Sequence, residues 1–60
     1  MLDLRTPVYA YVPAPGDTKI EARPGTIIAR TIEERARYDV RLDDGRLLVG
    51  LAEEWIREAA

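Results

Sequence analysis

Sixty residues with a formal net charge of −2, no cysteine and no histidine exclude a disulfide framework and remove the thiolate and imidazole ligands on which most structural metal sites are built. A chain this short makes one domain near the lower limit for folding alone, burying about 60% of the surface its unfolded form exposes. Its longest apolar runs are a few residues and Met1-Leu2-Asp3 lacks the basic start of a leader, so it reads as a cytoplasmic chain without a membrane span.

Residues 1–4 read as a loose start. From Arg5 to Val12 the β-branched and aromatic residues predict a first strand, with Pro7 marking it as an edge. Pro13-Ala14-Pro15-Gly16-Asp17 is turn chemistry, and Thr18 to Arg23 is a short extended arm with poor alternation. Pro24-Gly25 opens the run Thr26-Ile27-Ile28-Ala29-Arg30-Thr31-Ile32, whose β-branched density predicts a second main strand.

The segment from Arg37 to Leu51 carries the clearest signal. Asp44-Gly45 sits between two strand-like runs and suits a two-residue type I′ turn. That loop would set Asp43 opposite Arg46, Leu42 opposite Leu47, Val40 opposite Val49 and Tyr38 opposite Leu51, with six apolar side chains on one face. Arg37, Asp39, Arg41, Asp43, Arg46 and Leu48 then take the other face. A three-residue loop, Asp43-Asp44-Gly45, would turn the two apolar sets apart, so alternation selects the shorter one. A four-residue connection Glu33-Glu34-Arg35-Ala36 would place Thr31 opposite Tyr38, Ala29 opposite Val40 and Ile27 opposite Leu42. The end of the chain reads either as a short helix, with Leu51 and Trp55 and then Glu53 and Arg57 four apart, or, the favoured reading, as a helical turn over Ala52 to Glu54 and a brief strand. Trp55 is expected to pack in the core alongside Tyr38.

This order of strand, Pro/Gly loop, three-stranded meander, helical turn and short final strand resembles an SH3-like barrel. Val49-Gly50-Leu51-Ala52-Glu53-Glu54-Trp55-Ile56 is similar to the ending of SH3 domains, and Leu42-Asp43-Asp44-Gly45-Arg46 to the Asp-Gly hairpin of Tudor-like barrels. The resemblance covers residues 5–58 and implies an all-β, five-stranded barrel with a D-G hairpin and one short C-terminal helical turn. Its aromatic set is limited to Tyr9, Tyr11, Tyr38 and Trp55.

Catalysis finds little support. There is no serine or histidine to form a nucleophile and its base, and a small barrel has little interior for a pocket that shifts a carboxyl pKa. Asp43 and Asp44 read as turn residues rather than as a hard-cation cage. The expectation is a protein without catalytic residues, metal or cofactor.

The outer face of the meander is the candidate site. Ile28, Ile32 and Leu48 beside Arg30 and Arg41 form a composition suited to a protein interface, where Arg is enriched and Lys and Glu are depleted. The expected partner is another protein or a second copy. The competing reading is a nucleic-acid accessory protein using Arg23, Arg30, Arg35, Arg37, Arg41 and Arg46 as a basic stripe; its binding would weaken steeply with salt.

Overall fold

Five antiparallel strands and one turn of 3₁₀-helix make up the computed structural model, which describes residues 2–14, 16 and 18–59. The strands are β1 (Pro7–Pro13), β2 (Ile20–Ile32), β3 (Ala36–Leu42), β4 (Leu47–Ala52) and β5 (Ile56–Glu58), with the 3₁₀ turn over Glu53–Trp55. They form one sheet in the order β4-β3-β2-β1-β5. Its two ends, β4 and β5, are not paired with each other, so the sheet is not closed by hydrogen bonds into a barrel. The expected turn over Pro13–Asp17 includes Pro15 and Asp17, which lie outside the described residues; beyond it, Ala14 N donates to Lys19 O at 3.1 Å and the chain returns as β2.

The arm Thr18–Arg23 and the strand Thr26–Ile32 are largely one continuous element. β2 pairs with β1 from Ile20 to Thr26 and with β3 from Gly25 to Ile32, so Pro24-Gly25 lies at the handover rather than at a strand start. Gly25 makes the handover possible. A Cβ built there would lie 2.7 Å from Arg41 O, 2.9 Å from Val40 Cγ1 and 3.1 Å from Leu42 Cδ2. Pro24 has no N–H for the ladder, but its carbonyl accepts from Asp43 N at 2.9 Å and ties the β3–β4 loop to the bend.

Alternation in β1 and β3 sends Val8, Ala10, Val12, Tyr38, Val40 and Leu42 inward. Ile27 and Ile56 complete the core, and Leu2, Ala36, Leu48 and Leu51 pack at its margin. Tyr38 is fully buried, as its place in the sequence pattern implied. Its hydroxyl accepts from Leu2 N at 3.0 Å and donates to Glu53 Oε2 at 3.1 Å, which satisfies a polar atom at the core's margin. Trp55 departs from expectation. It closes the 3₁₀ turn and is 45% exposed, while Ile56 enters the core in its stead.

Both hairpins of the meander differ from the alternation-based register. Leu42 N donates to Arg46 O at 2.8 Å and Gly45 N to Leu42 O at 3.0 Å, so the β3–β4 loop has three residues, Asp43-Asp44-Gly45. A type I′ turn needs positive φ at Asp44 as well as Gly45. Gly45 has φ +94°, whereas Arg5 is the only non-glycine residue with positive φ among the described residues. Asp44 instead accepts from Arg46 N at 3.0 Å and from Arg46 Nε at 2.8 Å, holding the longer loop in place.

The longer loop pairs Arg41 with Leu47 and Val40 with Leu48, one residue away from expectation. A bulge then restores the expected pair Tyr38–Leu51. Gly50 sits at the bulge with φ +71°; its N–H donates to Asp39 Oδ1 at 3.0 Å and its carbonyl accepts from Arg37 Nη1 at 3.1 Å. The β2–β3 connection likewise shortens to Glu33-Glu34-Arg35, with Ile32 opposite Ala36 and Arg30 opposite Tyr38. An irregularity at Ile28 adds a second residue of shift, pairing Ala29 with Asp39 and Ile27 with Val40 in place of Leu42, and so returns Ile27 to the inner side.

Candidate interaction face

These register shifts decide where the candidate interface residues go. Directly opposed residues on neighbouring strands point to the same side of a sheet. Leu48, opposite buried Val40, therefore faces inward and packs against the core. Its neighbours Leu47 and Val49 face outward, 54% and 73% exposed. A one-residue shift has exchanged the two sides of β4, and the apolar residue expected on the outer face is replaced by two others.

Arg30 and Ile32 also leave the expected face. Arg30, opposite Tyr38, reaches the margin of the inner side, where Nη1 donates to Leu2 O at 3.1 Å and meets Asp3 Oδ1 at 3.3 Å. It fastens the N-terminal segment across the sheet. Ile32 shares the side of Ala36 at the end of the sheet and is half-exposed. Ile28 and Arg41 alone of the five meet as expected. They line a shallow groove of about 440 Å³ with Pro24, Thr26 and Asp43.

The outer side of β2, β3 and β4 thus carries Thr26, Ile28, Arg41, Leu47 and Val49 together. Thr26 pairs with Arg41, and Arg41 with Leu47, so these three cross the sheet in one row. Ile28 is 39% exposed beside them. Arg41 makes no ion pair among the described residues. A larger open concavity of about 730 Å³ adjoins Val49, lined by Thr31, Glu33, Arg35, Arg37 and Asp39.

The arginines divide into two groups. Arg23 meets Asp43 Oδ1 at 2.9 Å, Asp44 Oδ2 at 3.7 Å and Glu21 Oε1 at 4.0 Å. Arg46 meets Asp44 Oδ2 at 2.8 Å and Glu21 Oε1 at 3.7 Å. This network closes the β3–β4 loop over the first half of β2. The backbone N–H of Arg46, helped by the guanidinium groups of Arg46 and Arg23, holds the Asp44 carboxyl below its ordinary pKa despite partial desolvation. With Arg30 beside Asp3, half of the six-arginine stripe is neutralised within the chain, leaving Arg35, Arg37 and Arg41 without an ion pair among the described residues.

On the opposite flank Tyr9 and Tyr11 stand on the outer side of β1, and Tyr9 pairs with Arg57 of β5. The Arg57 guanidinium lies 5.7 Å from one ring centre and 5.8 Å from the other, within the range of cation–π attraction. These rings already hold a cation of their own chain. Among the described residues no three acidic side chains converge as a metal site would require, and no helix is long and apolar enough to cross a membrane.

The outward position of Leu47 and Val49 was missed because residues 47, 48 and 49 are all aliphatic, and period-two reasoning cannot choose between the two phases of such a run. Asp44 keeps a non-positive φ in the structure, and nothing in the Asp-Gly pair, which also suits the shorter turn, announces that. No protein-family model, no curated protein and no solved structure matches the chain.

Proposed function

We propose that this chain is a non-catalytic protein-interaction module of SH3-like architecture, engaging its partner through the outer side of β2, β3 and β4. The architectural part is supported by the long bent β2, which serves β1 with one half and β3 with the other, and by the single 3₁₀ turn between β4 and β5. The functional part rests on one observation: Ile28, Leu47 and Val49 lie exposed around Arg41, whose charge has no ion-pair partner among the described residues. Aliphatic side chains ringing an arginine suit a desolvated contact in which the guanidinium meets a carboxylate or carbonyl oxygen.

The internal pairing of Arg23, Arg30 and Arg46 favours this reading over nucleic-acid binding, because a phosphate ligand would compete with carboxylates already in place. Affinity capture on immobilised wild type and on the Ile28→Glu/Val49→Glu double variant tests the proposal, with a short DNA duplex as a separate ligand. A protein retained by the wild type in high salt and lost from a folded double variant is the expected result. Equal retention by both proteins removes the outer side as the site. DNA binding that falls steeply with salt selects the nucleic-acid reading instead.

A further inference from the structure

The free edge of β4 has a property that the outer face does not require. Leu47-Leu48-Val49-Gly50-Leu51-Ala52 contains no charge and no proline, whereas edge strands are ordinarily protected from pairing by lysine, proline, shortness or a bulge. The opposite edge, β5, has three residues and carries Arg57 and Glu58. In β4 the bulge at Gly50 protects only the second half. The regularly paired residues Leu47 and Leu48, and Val49 where the bulge begins, are left open.

The backbone phase of that stretch follows from the hairpin. Leu42 N donates to Arg46 O, and an antiparallel ladder alternates its bonded residues. Leu48 therefore directs its N–H and C=O toward Val40, and Leu47 and Val49 direct theirs away from the sheet. Residues 47 and 49 thus offer two donors and two acceptors spaced for one further strand.

We infer that this edge pairs with the same edge of a second copy, antiparallel about a two-fold axis at Leu48. In that register Leu47 of each copy exchanges backbone hydrogen bonds with Val49 of the other, four bonds in all. The same register is complementary in its side chains. Leu47 and Val49, the two exposed aliphatics of β4, stand opposite each other across the new seam, and no like charges meet within the paired stretch. Arg46 falls opposite Gly50. Beyond these residues the chains part: Asp43 is drawn back by Arg23 at 2.9 Å, and Glu53 turns to the Tyr38 hydroxyl at 3.1 Å. A second copy is favoured over an unrelated strand because the two outward aliphatics match each other at the one register in which all four outward backbone groups pair. This inference stands apart from the outer-face proposal, which needs neither the backbone edge nor a second copy.

A seam this short lies well below the roughly 1,200 Å² of a standard stable interface, so the dimer should be weak and concentration-dependent. The chain is short enough for total chemical synthesis, which allows the Val49 nitrogen to be methylated. That change deletes an outward N–H and no bond within the chain. Sedimentation velocity on the wild type, the N-methyl-Val49 chain, Leu47→Lys/Val49→Lys and Ile28→Glu is read beside amide exchange at Leu47 and Val49, with circular dichroism checking each fold.

The expected result is a mass rising from 6.8 kDa toward twice that value, with Leu47 and Val49 amides gaining protection as concentration rises. Folded N-methyl and double-lysine variants should stay monomeric, and Ile28→Glu should dimerise like the wild type. A wild type that stays monomeric overturns the inference while leaving the outer-face proposal intact. A dimer that survives N-methylation but is lost in Ile28→Glu also overturns it and moves the contact to the outer face.

Discussion

Replacing Gly25 by alanine tests the bend on which the fold turns. Its Cβ would lie 2.7 Å from Arg41 O, a backbone atom held in the β2–β3 ladder, and 2.9 Å from a methyl of fully buried Val40. Neither neighbour can withdraw alone. Moving the carbonyl pulls β3 from β2 at their junction, and moving Val40 disturbs the core. Overpacking of this kind costs about 1–3 kcal/mol, offset by about 0.4–1 kcal/mol because alanine restricts the unfolded chain more than glycine. A net loss of about 1–2 kcal/mol should lower the melting temperature by roughly 4–16 °C in a domain of this size, a large share of the roughly 3–9 kcal/mol that sixty residues ordinarily provide. Thermal and urea unfolding followed by circular dichroism read the change. Gly50→Ala is the control, since Gly50 has φ +71° but open space around its Cβ direction, so its loss of about 1 kcal/mol comes from backbone conformation alone. An unchanged or raised melting temperature for Gly25→Ala would refute the close-approach argument.

The other perturbations address the register and the polar contacts. Leu48→Glu should prevent folding or destabilise the domain by about 2–5 kcal/mol, by the scale of buried leucine truncations, whereas Val49→Glu should fold within about 0.5 kcal/mol of the wild type; denaturant melts with the opposite ranking would restore the two-residue loop. Tyr38→Phe should cost about 1–2 kcal/mol, because it takes the acceptor from the Leu2 N–H and removes one hydrogen bond to Glu53, and amide exchange at Leu2 should speed up more than at Val40. Asp44 has its carboxyl pKa lowered in the folded chain, chiefly by the Arg46 N–H. Its contribution to stability is therefore complete above the ordinary value near 3.8 and is lost as pH falls through the lowered folded value. Asp44→Asn should melt below the wild type at neutral pH, with the two melting curves converging in acid; a gap that persists at the lowest pH would assign the effect to loop geometry.

Much of the architecture was legible in the residues. The β-branched runs and turn dipeptides gave five strands in their order, the brief turn before a final strand, the burial of Tyr38 and its pairing with Leu51. Each depends on local chemistry or on a residue whose neighbours differ sharply in polarity. Register was less accessible. It depended on whether each hairpin used an odd or an even loop, and the run Leu47-Leu48-Val49 and the pair Ile27-Ile28 satisfy both parities equally well. Trp55 looked like core by size, but the 3₁₀ turn that ends at it aims the following residue inward.

The sequence by itself determined that this is a small all-β chain without cysteine, histidine or serine, because strand propensity, turn chemistry and composition are properties of short segments. Only the tertiary structure decided which aliphatics face outward. Two bulges, at Ile28 and Gly50, reset the strand phase, and each is held by what lies across the sheet: Asp39 and Arg37 on the Gly50 backbone, and the fixed pairs Ile27–Val40 and Ala29–Asp39 on either side of Ile28. A side chain in a strand has two possible faces separated by one residue of register, and long-range partners choose between them.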